Sequence, residues 1–430
     1  MALYMSTVIS RKPADIIAHI SGLRSSLSSN PLLYTISVSP FTESSDLAKL
    51  VDSVKSLSSD SVGCLSAPLP SPRPSWQRYS AVSLASFDYK HVTLFRSTIP
   101  GRKAAQVGRW HALHKSGTPE PEAPSPGSEG MDWEAALANA YDGSALPAPL
   151  QSLSAESMDS ILYFSDNEHE GLSSSLSHFG SATKLGLIGS STPFITGRPY
   201  TLFHNDSIHS NGAVGICLSS PIRPRAYSAF PGLEPITRPM IVTSSEGNLV
   251  NALDNANPSR LLLHAIQNHP TVGSRAEQGI SSELRLYMGT LKQKQGTHEL
   301  DQLYYIMSGD PSRGSLALDT DTAPAEGSLV QVFLLPPSAS VDAVGEVQKR
   351  RGADGSRRTQ NLTFVSTSIE NLEGSSTTLP NGEEETMVLD DVFLAASENG
   401  CIVSRAEDGR SERPWKCGVP GGMVGLQWAT

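Results

Sequence analysis

Residues 161–193 read ILYFSDNEHEGLSSSLSHFGSATKLGLIGSSTP and predict a strand, a helix and a second strand that ends in a turn. The apolar run 161–164 predicts the first strand, and apolar residues recur at helical spacing between 172 and 179. Residues 185–188 predict the second strand. A helical crossover of this kind makes its two strands parallel. The turn of small polar residues then lies at the carboxyl end of a strand, where open α/β sheets tend to bind ligands.

The same order of elements occurs earlier, in residues 32–68, LLYTISVSPFTESSDLAKLVDSVKSLSSDSVGCLSAP. A β-prone run at 32–38 precedes a helical stripe that begins at Leu47, and a short strand follows at 61–65. We interpret the two segments as copies of one strand–helix–strand unit. Chance similarity is the alternative, because the pattern is common.

Beyond these units the pattern predicts a helix at 13–28, a hairpin of 79–87 with 91–97, and mainly strands in the second half. We therefore expect a mixed α/β (α+β) fold of two related halves, with twisted mixed sheets covered by helices. At 430 residues the chain exceeds one ordinary core. The predicted division is a first domain 1–220 with a disordered insertion at about 114–156, a Pro-rich linker 221–232, and a second domain 233–430 with loops at about 337–360 and 371–386.

The formal charge of -10 disfavours nucleic acid as a partner, because nucleic-acid binding requires a basic surface. No apolar run is long enough to cross a bilayer, so no membrane association is expected. Four cysteines without a CxxC pair, and the absence of a secretory apolar segment, predict reduced thiols in the cytoplasm, with the nucleus as an alternative. The Ser-rich amino terminus leaves a mitochondrial presequence open as a weaker alternative.

The sequence contains no GxSxG, GxxxxGK[ST], HExxH or paired CxxC motif, so we expect neither an enzyme nor a cofactor. His111 and His114 have a spacing that suits a metal, but nothing nearby completes the ligand set, and no metal is expected. Asp319 and Asp321 are interpreted as a solvated strand end. Cys64 and Cys417 stand beside glycines, and each is either a reactive thiol, as an unrecognised hydrolase would need, or a small buried apolar residue.

Two turns carry the candidate ligand-binding residues. Ser190, Ser191 and Thr192 offer hydroxyls and backbone N–H groups that suit a carboxylate or phosphate, and Arg198 could pair with the same anion. A capped turn with a surface arginine is the alternative. In the second half the predicted strand 391–396 ends in Ser397, Glu398 and Asn399, where the glutamate could hold an amine or the segment could be a plain hairpin turn. We expect both turns to line one cleft.

Several segments resemble the FIST family. NPLLYTISVSPF (30–41), SVGCLSAP (61–68) and KLGLIGSSTPFITGRPYTLFHNDSIHSNGAVGICL (184–218) are similar to the FIST amino-terminal domain. The FIST carboxy-terminal domain is resembled by PITRPMIVTSSEGNLVNALDNANPSRLLL (235–263), LYYIMSGDPSRGSLAL (303–318), FLAASENGCIV (393–403) and KCGVPGGMVGLQW (416–428).

The resemblance implies an intracellular module of signal transduction that senses a small ligand such as an amino acid. It also implies an alternative, because some relatives are F-box proteins that recruit substrates for ubiquitin-dependent degradation. The segment before the first FIST-like strand is shorter than an F-box and lacks its Leu-Pro opening, so we expect no F-box here. In the alternative, a protein partner would bind exposed apolar patches and the Arg-rich segment 349–358.

Overall fold

The computed structural model describes residues 2–27, 30–38, 42–71, 79–99, 101, 146–220, 222–269, 284–294, 296–309, 314–336, 341–353, 359–368, 386–405 and 414–429. These residues form a mixed α+β fold, which confirms the predicted class. The helices are α1 (Pro13–Leu27), α2 (Ser44–Lys55), α3 (Glu170–Leu176), α4 (Pro193–Thr196), α5 (Pro258–Asn268) and α6 (Ala343–Ala353).

The described strands are β1 (Tyr4–Ser10), β2 (Leu32–Ser37), β3 (Ser61–Ser66), β4 (Ser80–Ser86), β5 (Val92–Ser97), β6 (Ser160–Ser165), β7 (Thr183–Ile188), β8 (Leu202–His204), β9 (Ser207–His209), β10 (Ala213–Leu218), β11 (Arg225–Ala229), β12 (Glu234–Pro235), β13 (Met240–Glu246), β14 (Leu249–Leu253), β15 (Arg285–Lys294), β16 (Thr297–Gly309), β17 (Leu316–Leu318), β18 (Leu329–Leu335), β19 (Thr359–Ser366), β20 (Met387–Asp390), β21 (Val392–Ser397), β22 (Cys401–Ser404), β23 (Trp415–Cys417) and β24 (Met423–Ala429).

The strands assemble into three open sheets and one closed ring. Sheet I has the order β20-β1-β4-β2-β3-β8-β9, sheet II β23-β22-β7-β6-β10-β5, and sheet III β11-β24-β19-β21. The strand ring has the order β18-β13-β14-β17-β16-β15, is closed by pairing of β15 with β18, and carries β12 beside β18. The long ring strands β15 and β16 pair antiparallel, and a bulge after Thr290 bends the pair.

Both predicted strand–helix–strand units are present. β2 and β3 lie parallel on either side of α2 in the chain, and β6 and β7 lie parallel on either side of α3. In each unit a tyrosine ring of the first strand covers a glycine of the second. A Cβ on Gly63 would lie 2.6 Å from the Tyr34 ring, and a Cβ on Gly186 would likewise collide with Tyr163. The repeated pairing supports the interpretation of the segments as structural copies.

A third unit of the same strand order lies in the carboxy-terminal part of the chain. β19 and β21 pair in parallel, and β24 pairs antiparallel with β19. The same arrangement, an antiparallel strand beside the first parallel strand, occurs as β4-β2-β3 in sheet I and β10-β6-β7 in sheet II. The structure therefore contains three related sheets, one more than the sequence pattern indicated.

The largest hydrophobic core draws side chains from all three sheets and from the strand ring. At its centre the Phe164 ring of sheet II packs on Phe364 of sheet III with centroids 6.0 Å apart, and Phe364 packs on Phe393 at 6.4 Å. Trp428 is fully buried in the same core. The helices lie outside it, where α1 and α2 bury their apolar stripes against sheet I. None of the described helices is long and apolar enough to cross a membrane.

Sheet III joins sheet I through the free edge of β21. The Thr7 hydroxyl donates to Val392 O at 2.9 Å and accepts from Leu394 N at 3.0 Å. The Ser83 hydroxyl donates to Leu394 O at 2.6 Å, and further along the strand Ala67 N donates to Ala396 O at 2.8 Å. Because these groups replace a neighbouring strand, the buried edge of β21 keeps its backbone hydrogen bonds.

The described residues differ from several expected connections. Residues 79–87 and 91–97 form no hairpin, because β4 pairs within sheet I whereas β5 pairs with β10 of sheet II. The predicted linker 221–232 contains β11, which pairs with β24 and so belongs to sheet III. The predicted boundary between 1–220 and 233–430 is crossed by the sheets, since β20 pairs with β1 and β22 with β7.

Two expected loops are also partly structured. Within the predicted insertion, residues 148–150 and 155–157 form short 3-10 helices, and Leu150 is fully buried; residues 114–145 lie outside the described chain. Within the predicted loop 337–360, residues 343–353 form α6, whose buried Ala343, Val344 and Val347 pack on sheets I and III. Of the predicted loop 371–386, only residue 386 is described.

We predict that Thr7→Val reduces the free energy of unfolding by about 2–4 kcal/mol, because it leaves Val392 O and Leu394 N buried without their partner. Thr7→Ser is the matched control, since it keeps the hydroxyl and should cost only about 1 kcal/mol for the lost methyl group. Urea unfolding followed by tryptophan fluorescence measures both variants. Equal losses for the two variants would show that the hydroxyl does not hold β21.

Candidate functional site

The second strands of the three units end at one place, which we call the turn junction. It comprises the turns that follow β3, β7 and β21, at residues 67–68, 189–192 and 398–400. Ser190 N donates to Leu65 O at 3.2 Å, and Ile188 N donates to Gly400 O at 3.1 Å. Together with the bond between Ala67 and Ala396, these contacts tie each of the three turns to another unit.

The carboxylate of Glu398 bridges two of these turns. Its Oε2 accepts from Ser190 Oγ at 2.8 Å, and its Oε1 accepts from Ser191 N at 2.7 Å. Asn399 completes the contact, because its Nδ2 donates to Gly189 O at 2.9 Å and to Glu398 Oε1 at 3.3 Å. Glu398 and Asn399 are half-buried and Ser191 is exposed, so the bridge lies at the surface end of the junction.

The structure thus brings together the two turns that the sequence analysis assigned to one cleft. They are in direct contact, and the donors expected to bind a ligand anion, Ser190 Oγ and Ser191 N, already bind the carboxylate of Glu398. The carboxylate therefore occupies the position in which a ligand carboxylate or phosphate was expected. The Ser397 hydroxyl accepts from Asn399 N at 3.0 Å and shapes the turn that presents Glu398.

Thr192 and Arg198 have local partners. Thr192 Oγ1 donates to Arg198 O at 3.0 Å and lies 2.8 Å from Thr201 Oγ1. The Arg198 guanidinium is exposed and donates to Ser210 Oγ at 2.8 Å. The Thr192 hydroxyl is thus held within its own turn without capping α4, and Arg198 lies at the surface. A role for either residue in ligand binding stays a prediction.

The surroundings of the junction are acidic. Burial raises the pKa of the Tyr200 phenol, and three carboxylates raise it further, those of Asp166, Glu398 and Glu168. Burial lowers the pKa of His169 to about 4, so this imidazole is neutral at pH 7 and offsets none of that charge. Among the described residues, two cations lie beside the segment 166–168: Lys416 Nζ donates to Asn167 Oδ1 at 3.2 Å, and Arg96 interacts electrostatically with Asp166. The Glu398 carboxylate itself favours a positively charged group beside it.

The first strand of every unit ends in a buried serine, a feature that the sequence analysis missed. The hydroxyls of Ser37, Ser165 and Ser366 have no hydrogen-bond partner in the described part of the chain, and neither does that of Thr367. Unpaired buried hydroxyls are uncommon and point to ordered water or a bound polar molecule. The shared serine was visible in the sequence, but only the pairing of the strands shows that the three positions correspond.

The candidate thiols are both buried. Cys64 lies in β3 with 0% of its surface exposed, and burial, followed by the charge of Glu398, raises the pKa of its thiol well above the ordinary value. Cys417 in β23 is also fully buried. For Cys64, these surroundings match the interpretation as a small apolar residue and disfavour a reactive thiolate.

No three His, Cys, Asp or Glu side chains of the described ranges are grouped as metal ligands. His111 and His114 lie outside those ranges. Asp319 and Asp321 lie in the turn after β17, where Asp319 N donates to Tyr305 O at 2.9 Å.

The basic residues proposed for protein contact are largely engaged within the fold. Lys349 Nζ lies 2.7 Å from Glu346 Oε1 on the same helix, α6. The Arg350 guanidinium carbon lies 4.4 Å from the centroid of the Tyr227 ring. Arg351 Nη1 donates to Asp390 O at 2.7 Å. Residues 354–358 lie outside the described chain. At the described positions, Lys349 keeps 74% of its side chain exposed, so contact of this segment with a protein partner stays a prediction.

We predict that the Ser190–Glu398 contact has a measurable coupling energy. Ser190→Ala, Glu398→Ala and the double variant form a double-mutant cycle, and the expected coupling is about 1–2 kcal/mol, because the hydrogen bond involves a carboxylate that is only half-buried. In the control cycle, Glu326→Ala replaces Glu398→Ala. Glu326 is an exposed glutamate in the turn between β17 and β18. Coupling indistinguishable between the two cycles would exclude the bridge.

The family model of the FIST N domain matches residues 33–256, just over half of the chain. The match includes both predicted strand–helix–strand units and the turn at 189–192, but ends before Glu398. No curated protein matches the sequence. A match to the FIST carboxy-terminal domain or to an F-box was not found among these comparisons, so those parts of the resemblance stay predictions.

Proposed function

The chain belongs to the FIST N domain family, which is associated with signal transduction, and we propose that it is a sensory module that binds a small amine-bearing metabolite at the turn junction. The observation that carries this proposal is the half-buried carboxylate of Glu398 at the meeting point of three strand ends. Such strand ends are the usual ligand sites of α/β sheets.

The hydrogen bonds of Glu398 leave room for one more donor. A carboxylate has about four acceptor positions, and the donors at Glu398 are Ser190 Oγ, Ser191 N and, at 3.3 Å, Asn399 Nδ2. An ammonium group can take the remaining position without displacing them. Charge-assisted bonds of this kind are roughly twice as strong as neutral ones.

The charge around the junction supports the same ligand class. Asp166 and Glu168 lie close enough to Tyr200 to raise the pKa of its phenol together with Glu398. A free carboxylate or phosphate would be repelled there, whereas an ammonium group would be attracted. For a ligand that also carries hydroxyl or carbonyl groups, the hydroxyls of Ser37, Ser165 and Ser366 at the buried ends of the first strands are the partners.

The experiment is a thermal-shift screen of amines against matched compounds that lack the amine. Amino acids and small diamines should raise the midpoint, because a ligand at a hundred times its Kd adds about 2.7 kcal/mol. The deaminated analogues, acetate and succinate among them, should not. Calorimetry then gives the Kd of each hit.

The matched variants are Glu398→Gln and Glu326→Gln, which remove the same charge at the junction and at the exposed turn between β17 and β18. Glu398→Gln should weaken binding at least tenfold, while Glu326→Gln should leave it unchanged. A folded protein that no amine stabilises, or binding that survives Glu398→Gln, would overturn this site.

A second function, recognition of a protein partner, is favoured by Phe194. This side chain stands on α4, two residues after Thr192, and is 102% exposed, more than any other large apolar residue described. Exposed aromatic residues often anchor protein interfaces. A partner in ubiquitin-dependent degradation, as the resemblance to F-box proteins of the FIST family implies, is one form of this proposal.

We predict that Phe194→Ala abolishes capture of such a partner, because it removes the apolar anchor without altering the core. Tyr89→Ala is the control, since Tyr89 is 62% exposed but lies between β4 and β5. Quantitative affinity capture should recover the partner with wild type and Tyr89→Ala and lose it with Phe194→Ala. Recovery that is the same for all three proteins would exclude Phe194 as an anchor.

A further inference from the structure

Two cysteines face each other across the edge of sheet II. Cys401 of β22 and Cys417 of β23 are direct partners in an antiparallel pair. Residues in direct register lie on the same face with Cα atoms about 4.5–5.5 Å apart. A disulfide requires Cα atoms about 4.4–6.8 Å apart, so this register meets the main geometric condition for a bond between the two sulfurs.

The Cys401 thiol lies against Cys417. A side-chain hydrogen bond with Cys417 raises the pKa of Cys401, and burial raises it further. Cys401 Sγ also lies 3.9 Å from Cys417 O. Two glycines leave room for Cys417. A Cβ on Gly422 would lie 2.7 Å from Cys417 Sγ, and a Cβ on Gly400 would lie 2.5 Å from the backbone oxygen of Cys417.

We propose that Cys401 and Cys417 are a redox modification site that forms a reversible cross-strand disulfide. With a hydroperoxide as oxidant, the Cys417 thiol loses its proton and the thiolate attacks a peroxide oxygen. The O–O bond breaks, Cys417 becomes a sulfenic acid and, for hydrogen peroxide, the released hydroxide takes up that proton as one water. The Cys401 thiol then attacks that sulfur, and its proton and the hydroxyl group leave as a second water. Two thiols are oxidised and one peroxide is reduced.

The position of β23 gives the oxidant a route to the buried sulfurs. β23 is a three-residue edge strand that pairs only with β22 among the described strands. Opening this edge exposes Cys417 without separating the inner strands of sheet II. Trp415 opposes the opening, because it is buried and its Nε1 donates to Leu303 O at 3.0 Å. Oxidation should therefore be limited by local opening.

The two other cysteines are internal controls. Cys64 lies opposite Thr35 and Leu202, and Cys217 lies opposite Thr93 and Ile161, so neither has a thiol across the strand. Both are as well buried as the proposed pair. A disulfide that formed by general unfolding would involve all four cysteines, whereas one that depends on register would involve only Cys401 and Cys417.

The test is peptide mapping of the folded, full-length protein after brief exposure to hydrogen peroxide. The expected product is one intramolecular disulfide between the Cys401 and Cys417 peptides, reversed by dithiothreitol, with Cys64 and Cys217 still reduced. Cys217→Ala should keep that product and Cys401→Ala should lose it. No disulfide in folded protein, or one that includes Cys64 or Cys217, would overturn the proposal.

Phenylarsine oxide provides a measurement that needs no variant. Its arsenic bridges two adjacent thiols and releases one water, so one equivalent should bind wild-type protein and block formation of the disulfide. Binding should be reversed by a competing dithiol. Failure of the reagent to bind or to protect the pair would overturn the proposed pairing of the two sulfurs, even if the cysteine variants do not fold.

Discussion

The arrangement of the three sheets depends on the hydrogen bonds that the backbone groups at the free edge of β21 make with sheet I. This strand ends sheet III, and its carbonyl and amide groups would be buried without partners if sheet I did not supply them. Thr7 and Ser83 do so with side-chain hydroxyls, and Ala67 does so with its backbone amide. Because one unsatisfied buried group costs about 1–3 kcal/mol, this edge fixes sheet III against sheet I.

The turn junction follows from that constraint. Once β21 is held along sheet I, the turn at 398–400 must lie beside the ends of β3 and β7, and Glu398 meets Ser190 and Ser191 there. The junction is therefore assembled from segments 208 residues apart in the chain. The hydrogen bonds along the edge of β21 therefore hold the Glu398 carboxylate at the strand ends, with Cys401 shortly after it in the chain.

Local pattern predicted much of this fold. The apolar periodicity and turns of 32–68 and 161–193 identified two of the three units, and the small polar residues identified two of the three turns of the junction, 189–192 and 398–400. The third unit was missed because its parallel strands, β19 and β21, are separated by a long polar segment instead of an apolar helical stripe. The contact between Glu398 and Ser190 could not be predicted, since it depends on the packing of two sheets.

The errors in the predicted connections have a common physical cause. The strands at 80–86 and 92–97 have the alternating pattern of hairpin strands. The first nevertheless pairs within sheet I and the second within sheet II. Residues 343–353 look solvated because they are charged, yet Arg350 and Arg351 bind Tyr227 and Asp390 within the fold. In both cases tertiary partners far along the chain override the local pattern.

The amide hydrogen of Ser191 tests the convergence of the turns most directly. Ser191 is exposed, and its N–H donates to Glu398 Oε1, so slow exchange there depends on the turn after β21. Hydrogen exchange followed by NMR should find this amide protected in the wild type and at least tenfold faster in Glu398→Ala, with the amides of β7 unchanged. Fast exchange in the wild type, or no change on substitution, would contradict the account.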